Sequence, residues 1–325
     1  MTIVRAIRIH GTGGPEVLRL DEIEAPAPQA GELRVRVAFA GVNFLDVYHR
    51  SGLYPPGPLP ARIGKEGAGE IVELGAGVER FAVGERVAFF DVAGGYAEEV
   101  IVPAARALAL PAGLSLDRAA ALPLQGMTAD YLVRTLGRVA PGDVVLVHAA
   151  AGGVGRLAVQ MAKSAGATVF GTCSTAEKEA IARGAGCDHP IRYTDVDFAD
   201  EVLRRTDGRG ADLVLDSVGR ATFAGSVRAT RVRGTLVLFG QSSGMIEPFS
   251  PRAVLGSRTL VTATLFDYAR ERGELVERWE RVVADFDAGR ITLAVDSVFP
   301  LERAADAHRR LESRASAGKI LLALG

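Results

Sequence analysis

The chain of 325 residues has only two cysteines, Cys173 and Cys187, and four lysines against 34 arginines. Two cysteines do not make a disulfide framework, so we expect a reduced, cytoplasmic protein. No stretch approaches the roughly 18 to 20 consecutive apolar residues of a membrane helix. The N-terminal sequence MTIVRAIRIHGTGGPE also lacks the apolar segment of a secretory signal. We therefore expect neither membrane insertion nor export.

Strong charge and sets of metal ligands are also missing. The formal net charge is −1, which leaves no basic field to hold nucleic acid or anionic lipid. Five histidines are scattered, and no C-x-x-C motif occurs. Because structural and catalytic zinc need several ligands together, we expect no metal site. His148 is interpreted as a packed strand residue and not as a ligand.

The length suggests two domains, and the first 120 residues are typical of short strands separated by Gly- and Pro-rich turns. This pattern predicts an irregular, mostly antiparallel β-rich domain. A short helix is predicted over Ser115–Leu122 and another over Gly126–Leu136. The predicted strands are Ile3–Ile9, Val17–Ile23, Leu33–Val42, Gly69–Leu74, Arg86–Phe90 and Glu98–Val102.

From Val144 onward, short apolar strands alternate with amphipathic helices. Continuous apolar runs such as DLVLDSV favour strands buried on both faces, hence a Rossmann-type, doubly wound parallel sheet in an α/β protein. The predicted strands are Val144–His148, Thr168–Thr172, His189–Tyr193, Ala211–Ser217 and Thr235–Gly240, with Arg258–Leu265 as a sixth, edge strand. The predicted helices lie near Val154–Ala165, Ala176–Arg183, Phe198–Arg205 and Phe223–Ala229.

The remaining segments are two helices, Ala269–Ala288 and Leu301–Ala315, and a final apolar strand, Lys319–Leu324. That strand has no neighbour in the second pattern, so we expect it to return to the first domain and make it discontinuous. The predicted domains are 1–124 with 266–325, and 125–265.

The stretch Val144–Gly155, VVLVHAAAGGVG, has the strand–turn–helix pattern of a dinucleotide-binding motif, with A-x-G-x-x-G spacing. Gly152 would let the backbone approach a pyrophosphate, and Gly155 would let the helix pack closely on the strand. The helix N-terminus would face the phosphate charge. The alternative is an ordinary small-residue turn in an α/β protein.

The end of the second strand of this unit indicates which dinucleotide is bound. NAD-specific proteins usually carry an acidic residue about 20 positions past the glycines. Here the sequence Gly171-Thr172-Cys173-Ser174-Thr175 has no carboxylate, and Lys178 follows one turn later. Hydroxyl donors and a cation favour the additional phosphate of NADP. The alternative is that Ser174-Thr175 caps a helix and that Lys178 is a solvated charge.

Other motifs are GVNFLDVYHRSGLYP at 41–55, GKEGAGEIVELGAG at 64–77 with GERV at 84–87, QGMTA at 125–129, HAAAGGVG at 148–155 and DSVG at 216–219. With these motifs the chain resembles the zinc-independent quinone oxidoreductases of the medium-chain dehydrogenase/reductase superfamily over nearly its full length. Zinc-containing relatives have Cys and His where this chain has Asn43 and Lys65. The resemblance implies no zinc, a GroES-like catalytic domain beside the Rossmann domain, and NADPH in the cleft between them.

The resemblance also implies the site. Asn43 and Tyr48 would be catalytic and would lie near the nicotinamide. The implied cofactor-binding residues run from the nicotinamide end through the pyrophosphate turn and the 2′-phosphate region to a closing tail: Asn43, Tyr48, Thr128, Ala151, Gly152, Gly153, Val154, Gly171, Thr172, Ser174, Lys178, Tyr193, Phe239, Gly240, Ser242 and Lys319. Without the resemblance, Asn43 and Asp46 could equally be helix-capping residues.

The implied reaction is hydride transfer from NADPH to a quinone or an α,β-unsaturated carbonyl. Without zinc nothing polarises an isolated ketone, whereas a conjugated acceptor spreads the incoming charge itself. Tyr48 or solvent would supply the proton. Alternatives are an enoyl or alkenal double-bond reductase, or an NADPH-binding protein with little catalysis. Relatives pair through an edge such as Leu260–Leu265, which implies a homodimer or a dimer of dimers, unless the long C-terminal helix covers that edge.

Overall fold

The structure, a computed structural model, describes residues 2–324 and divides the chain into two compact units. The first unit consists of Met1–Leu124, Glu271–Trp279 and Leu293–Gly325, and the second of Gln125–Arg270 and Glu280–Thr292. The predicted domains give all of 266–325 to the first domain, whereas these units share that stretch. The limits of the folding domains stay a prediction.

Sixteen strands are present within residues 2–324. They are β1 (Ile3–Ile9), β2 (Leu18–Glu24), β3 (Glu32–Val42), β4 (Ala61–Arg62), β5 (Glu66–Leu74), β6 (Arg86–Phe90), β7 (Glu99–Pro103), β8 (Ala107–Ala109), β9 (Val144–Val147), β10 (Thr168–Cys173), β11 (His189–Arg192), β12 (Ala211–Asp216), β13 (Thr230–Leu238), β14 (Thr259–Thr262), β15 (Val295–Pro300) and β16 (Lys319–Ala323).

The same residues form eleven α-helices, two 3₁₀ turns and one π-helical segment, Tyr131–Leu136. The α-helices are α1 (Phe44–Ser51), α2 (Leu116–Ala121), α3 (Pro123–Asp130), α4 (Gly153–Ser164), α5 (Ala176–Gly184), α6 (Phe198–Arg205), α7 (Phe223–Ala229), α8 (Pro251–Leu255), α9 (Leu265–Tyr268), α10 (Arg272–Asp287) and α11 (Ala304–Glu312).

The first unit is built on a seven-stranded sheet around β3, with a smaller sheet of β2, β1 and β4 beside it. β3 alternates as a half-buried strand should: Leu33 and Val35 are fully buried, whereas Arg36 is exposed. β16 pairs antiparallel with β3 and parallel with β15. The prediction that the last strand returns to the first unit is therefore confirmed.

The second unit contains one six-stranded sheet in the order β11-β10-β9-β12-β13-β14, and every neighbouring pair is parallel. All four residues of β9 are buried, as the apolar run predicts for a central strand covered on both faces. α4 and α5 pack on the β9–β10–β11 side, and α7 packs on β12 and β13. The Rossmann-type sheet is confirmed, and β14 lies at its edge as predicted.

Three differences between the predicted and the observed elements concern α1, α3 and β15. α1 was read only as part of a motif, yet it forms a helix that ends at Gly52 in the left-handed conformation (φ 82°). The helix predicted over Gly126–Leu136 begins at Pro123 and continues into the π-helical segment. β15 was not predicted because its hydrophobic pattern is weak. Its extended conformation is stabilised by pairing with β16. No helix within residues 2–324 has the length and apolar character needed to cross a bilayer.

Candidate functional site

In the second unit the glycine turn joins β9 to α4. Gly152 is the N-cap residue of α4, and its backbone is extended (φ −76°, ψ 174°). A Cβ atom at Gly155 would collide with the Ala149 carbonyl oxygen, so only glycine allows this closeness of helix and turn. Ala149 itself has φ 52°, a conformation that costs a non-glycine residue free energy. The turn is therefore tight, and α4 begins with backbone N–H groups that no capping side chain satisfies.

Gln125 lies against this turn. A Cβ atom at Gly153 would collide with the Gln125 amide group, which therefore occupies the space beside the first residue of α4. Gln125 is nearly buried, and its Oε1 atom has no hydrogen-bond partner among the described residues. A buried acceptor without a donor is costly, so Gln125 Oε1 is available to a ligand that lies over the turn.

Polar side chains predicted to contact a 2′-phosphate follow two neighbouring strands. Ser174 comes directly after β10 and Tyr193 directly after β11, and the Tyr193 N–H donates to the Cys173 carbonyl (3.2 Å). Thr175 is the N-cap of α5, because its hydroxyl accepts the Lys178 N–H (3.2 Å). The capping alternative is thus correct for Thr175, while Ser174, Lys178 and Tyr193 are brought to one edge of the sheet.

The other predicted residues of β10 face inward. Thr172 is buried, and its hydroxyl lies 3.0 Å from His148 Nδ1 and accepts the Ala149 N–H (3.2 Å). A Cβ atom at Gly171 would meet Ala150 and Cys187, so Gly171 allows β10 to approach the turn. His148 is buried, so its interpretation as a packed residue is confirmed, but it lies in the turn directly after β9 and not in the strand.

The segment after β13 packs on the turn that follows β12. Ser242 N–H donates to the Ser217 carbonyl (3.3 Å), and a Cβ atom at Gly240 would approach that same oxygen to 2.8 Å. Ser243 Oγ donates to the Val218 carbonyl (2.7 Å). Phe239, Gly240 and Ser242 are therefore held at the carboxyl edge of the sheet, as the predicted closing tail requires.

In the first unit Asn43 lies in a buried polar cluster with Glu66 and Lys319. Asn43 Nδ2 donates to Glu66 Oε1 (2.7 Å), and Lys319 Nζ donates to Asn43 Oδ1 (2.7 Å) and to Glu66 Oε1. Glu66 Oε2 also accepts the Leu124 N–H (2.6 Å). Glu66 and Lys319 are fully buried, and a buried carboxylate is tolerated only with such compensation.

A second buried chain starts at Asp46, the third residue of α1. Asp46 Oδ2 accepts the Asn43 N–H (2.9 Å) and the Tyr96 hydroxyl (2.9 Å), so Asp46 caps α1. Tyr96 Oη lies 3.3 Å from His308 Nε2, and Arg50 Nη1 lies 3.3 Å from His308 Nδ1. Arg50 is buried and forms a bidentate ion pair with Glu312, at 2.8 Å for each nitrogen.

Burial dominates the ionisation of these groups. It raises the pKa of Asp46 to about 7, although hydrogen bonds from Asn43 N–H and the Tyr96 hydroxyl act to lower it. It raises the pKa of Tyr96 well above its ordinary range. It lowers the pKa of His308 to about 3, with the Arg50 charge acting in the same direction. Asp46 Oδ1 has no hydrogen-bond partner within the described chain, which fits a carboxyl group that is easily protonated.

Tyr48 lies on α1, half-buried, with its ring packed edge-to-face on Tyr54 (centroids 5.2 Å apart) and tilted on Phe44 (6.2 Å). The Tyr54 N–H donates to the Tyr48 carbonyl (3.0 Å), which holds the loop after α1 against the helix. In the second unit, Thr128 is a nearly buried residue of α3. Tyr48 and Asn43 thus share one short helix and its N-cap.

Glu66, Tyr96 and His308 were missed by sequence reasoning. Glu66 gave a signal, because it is a charged residue inside the small-residue strand segment KEGAG, where an unpaired carboxylate would be costly. Tyr96 and His308 gave none, since 212 positions separate them in the chain. Among the described side chains, no group of three or more His, Cys, Asp or Glu is arranged to hold a metal ion.

Comparisons with known families agree with this architecture. The model of the alcohol dehydrogenase GroES-like domain matches residues 29–112, and the model of the zinc-binding dehydrogenase domain matches residues 185–322. The first match lies in the β-rich unit, and most of the second lies in the unit with the parallel sheet.

Individual relatives match over nearly the whole chain. The chain is 40% identical to the 2-haloacrylate reductase of a Burkholderia species, covering 98% of this chain and 99% of the relative. It is 37% identical to the quinone oxidoreductase of Pseudomonas aeruginosa, with the same coverage. The crystal structure of Escherichia coli quinone oxidoreductase complexed with NADPH superposes with a TM-score of 0.96 at 37% identity, covering 98% of this chain and 100% of that one.

Proposed function

The chain belongs to the quinone oxidoreductase family of the medium-chain dehydrogenase/reductase superfamily, and from this premise we propose that it reduces quinones or similar conjugated carbonyl compounds with NADPH. One observation carries the proposal. The turn between β9 and α4 leaves no room for a Cβ atom at Gly155, and no capping side chain satisfies the backbone N–H groups at the N-terminus of α4. Such a turn fits a pyrophosphate.

Different residues of the chain would bind different parts of the cofactor. Ala151, Gly152, Gly153 and Val154 would hold the pyrophosphate with backbone N–H groups. Ser174, Lys178 and Tyr193 would bind the 2′-phosphate, since hydroxyl groups and an ammonium are suited to a dianion. The E. coli relative is known in complex with NADPH, which supports this choice over NADH.

The tail Phe239, Gly240 and Ser242 would cover the cofactor, and Thr128 would contact it. Lys319, which the family pattern also implies, is fully buried, so it would act on the cofactor through Asn43. Gly171 and Thr172 would support the binding turn at the end of β10. These assignments follow from the position of each residue in the family pattern and from the edge of the sheet on which it lies.

NADPH, when bound, supplies the hydride. The protein has to orient the acceptor, exclude water and provide a proton. Asn43 is held rigidly by Glu66 and Lys319, so its side chain is suited to orientation. The Tyr48 hydroxyl would donate a hydrogen bond or the proton to the acceptor oxygen, because a protonated phenol is a hydrogen-bond donor.

A metal-free reaction is part of the proposal. Asn43 and Lys65 occupy the positions of two zinc ligands in zinc-containing relatives. The Lys319 ammonium already lies against Asn43 Oδ1 and compensates the Glu66 carboxylate. A conjugated acceptor spreads the transferred charge over its own π-system, so it needs less polarisation than an isolated ketone.

A second candidate is reduction of an electron-poor carbon–carbon double bond. It is favoured by the relative named 2-haloacrylate reductase, which is 40% identical. The two reactions share the hydride step and differ in the shape of the acceptor and in where the proton goes. A protein that binds NADPH with little catalysis remains the third hypothesis.

We also propose a cytoplasmic homodimer or dimer of dimers. β14 is an edge strand, and Leu260 and Val261 are only partly buried, so this edge needs a cover. Cys173 and Cys187 are free and buried, as suits a reducing compartment. With a net charge of −1, we propose that its partners are small molecules and not nucleic acids. Light scattering at several concentrations measures the oligomeric state, and a monomer at all of them contradicts the dimer.

The test is steady-state oxidation of NADPH with a panel of quinones, enones and 2-haloacrylates. We expect turnover with quinones, and slower turnover with NADH. Turnover with haloacrylates alone favours the double-bond reductase, whereas tight NADPH binding without any turnover favours the binding protein. Tyr48→Phe should lower turnover, with Tyr54→Phe as the matched control in the same ring pair. Unchanged turnover of Tyr48→Phe with every acceptor removes Tyr48 from the reaction.

A further inference from the structure

We infer that His148 is a positioning residue that fixes the shape of the phosphate-binding turn through a buried hydrogen-bond chain running from Ala149 to Asp216. The inference rests on the proposed NADPH function of that turn. The chain joins two motifs, HAAAGGVG and DSVG, that lie 60 residues apart in the sequence and to which the proposed reaction gives no common role. His148, Ser226 and Asp216 are each at most 1% exposed, so none of them can contact a ligand directly.

The chain consists of four consecutive hydrogen bonds. The Ala149 N–H donates to Thr172 Oγ1 (3.2 Å), and Thr172 Oγ1 lies 3.0 Å from His148 Nδ1. On the other side of the ring, His148 Nε2 lies 2.9 Å from Ser226 Oγ. Ser226 Oγ in turn donates to Asp216 Oδ2 (2.7 Å). The Phe198 ring closes the remaining side, edge-to-face on the imidazole at 4.7 Å between centroids.

The directions of these bonds determine the tautomer of His148. A carboxylate only accepts, so the Ser226 hydroxyl proton points to Asp216 and Ser226 Oγ must accept from the ring. His148 therefore carries its proton on Nε2. Thr172 Oγ1 accepts from Ala149, so its own proton is given to the bare Nδ1. Burial lowers the pKa of His148, which keeps the ring neutral and preserves this pattern.

The same directions exclude a catalytic triad. In such a triad the serine gives its proton to histidine, and the carboxylate orients the histidine. Here Ser226 lies between His148 and Asp216 and gives its proton to the carboxylate. The group is therefore structural and is not a nucleophile with its base. The hydrogen-bonded residues Thr172, His148, Ser226 and Asp216 are called the brace below.

One end of the brace holds a strained residue. Ala149 has φ 52°, and a residue other than glycine stays in this conformation only when its surroundings fix it. Its N–H is held by Thr172, and its carbonyl accepts the Gly152 N–H (2.8 Å), which begins the pyrophosphate turn. The position of Gly152 thus depends on the hydrogen bond that His148 helps to orient.

The other end fixes the DSVG turn. Asp216 Oδ1 accepts the Val218 N–H (2.8 Å) and the Gly219 N–H (3.0 Å), and the Thr222 hydroxyl lies 2.8 Å from both carboxylate oxygens. The Val218 carbonyl receives the hydroxyl proton of Ser243, in the tail after β13. His148 therefore ties the phosphate turn to the segment that is expected to cover the cofactor.

The decisive variant is Ser226→Ala, because Ser226 is remote from the glycine turn along the chain and fully buried. Its matched control is Thr230→Val, which also removes a fully buried hydroxyl, one that donates to the Ser226 carbonyl (2.7 Å) but lies outside the brace. We expect Ser226→Ala to raise the Kd for NADPH about 3- to 10-fold, the range for loss of one buried hydrogen bond. Nicotinamide fluorescence measures this Kd without turnover. Thr230→Val should lower the melting temperature and leave the Kd unchanged.

The tautomer is measured on the unaltered protein, so a variant that fails to fold does not remove the test. ¹⁵N spectra of histidine-labelled protein at pH 7.5 should show His148, assigned by its loss in His148→Gln, as a neutral Nε2–H ring. A protonated ring, or a proton on Nδ1, overturns the inference. Equal Kd values for Ser226→Ala and Thr230→Val overturn it as well. If the unaltered protein itself does not bind NADPH, the proposed function fails together with the inference, and this outcome differs from normal binding that the variants leave unchanged.

Discussion

The Lys319 ammonium lies against the Glu66 carboxylate in the interior of the first unit, and neither side chain reaches solvent. They are 253 positions apart and meet because β16 and β5 both pair with β3. Glu66 Oε2 is satisfied by the Leu124 N–H, and its Oε1 is shared by Asn43 and Lys319. The pair therefore fixes the side chain of Asn43, the residue expected at the nicotinamide end.

Removal of the ammonium should destabilise the first unit strongly. Lys319→Met leaves a buried carboxylate without its cation, which typically costs about 3–5 kcal/mol. Trp279 is the sole tryptophan of the chain and is buried in the first unit, so its fluorescence during urea unfolding reports on this part of the molecule. The control is Arg204→Met, which breaks the exposed pair with Glu201 and should change stability by less than about 0.5 kcal/mol.

The double variant Lys319→Met with Glu66→Gln separates charge from packing. It removes both charges, so its loss of stability should be smaller than the sum of the two single losses. Additive losses, or a small effect of Lys319→Met alone, contradict the view that the two charges compensate each other.

The raised pKa of Asp46 predicts a stability that depends on pH in a direction unusual for a carboxylate. Its pKa is about 7 in the folded protein and near 4 when unfolded, so the folded state binds more protons between these values. The contribution of Asp46 to the free energy of unfolding is fully present below about pH 4 and is lost as the pH rises to about 7. Asp46→Asn should therefore be more stable than the unaltered protein at pH 8, by at most on the order of 4 kcal/mol.

His308 titrates in the opposite direction and supplies the control. Its pKa of about 3 in the folded protein lies below the unfolded value near 6.5, so its contribution is present above about pH 6.5 and is lost on acidification. The two effects oppose each other over about pH 4–6.5. In Asp46→Asn only the His308 effect remains, so stability relative to the unaltered protein should fall as the pH decreases. His308→Gln should show the reverse, and parallel pH profiles for all three proteins exclude both assignments.

Much of the fold could be predicted from the pattern of apolar and turn residues in the sequence. The parallel sheet, an edge strand that includes Thr259–Thr262, and the return of the last strand were predicted because apolar runs and turn residues are local signals. The order of the strands was not predicted. Helix α1 was not predicted as a helix. It is eight residues long, and its order depends on Asp46 at its start and on Arg50, which pairs with Glu312 262 positions away. Such distant contacts leave no local periodicity.

The candidate site could be predicted where a residue lies in a motif and not where partners meet through the fold. Asn43 and the glycine turn stand in recognisable patterns. Glu66 lies in a quoted motif, but its contact with Asn43 depends on how the strands pair. Tyr96 and His308 became visible only when the fold placed them together. Gln125 belonged to a quoted motif, but its contact with Gly153 depends on how α3 approaches α4, which spacing does not reveal. The roles of the site residues stay predictions.

Metal removal tests the proposed zinc-free reaction. Because the Lys319 ammonium already supplies the positive charge beside Asn43 and Glu66, we expect turnover with quinones to be unchanged after dialysis against a chelator. Elemental analysis of the purified protein should find less than one zinc per ten chains. Loss of turnover that added zinc restores, while magnesium does not, refutes the proposal.

Lys178 provides the sharpest test of cofactor choice. It lies on the first turn of α5 after Ser174, at the sheet edge where Tyr193 also lies. If its ammonium binds the 2′-phosphate, Lys178→Ala should raise the KM for NADPH about 10- to 100-fold, the range for a charge-assisted hydrogen bond. NADH lacks that phosphate, so its KM should not change. Salt should also weaken NADPH binding less in the variant, since exposed charges are screened.

The matched control is Lys163→Ala, which removes the same charge from a surface ion pair with Asp188 in the same unit. It leaves the net charge equal to that of Lys178→Ala, so a general electrostatic attraction would affect NADPH equally in both variants. A rise in KM for NADPH confined to Lys178→Ala locates the interaction at α5. A similar rise for NADPH and NADH would mean that Lys178 shapes the turn and does not read the phosphate, and the preference for NADPH would then have to come from Ser174 and Tyr193.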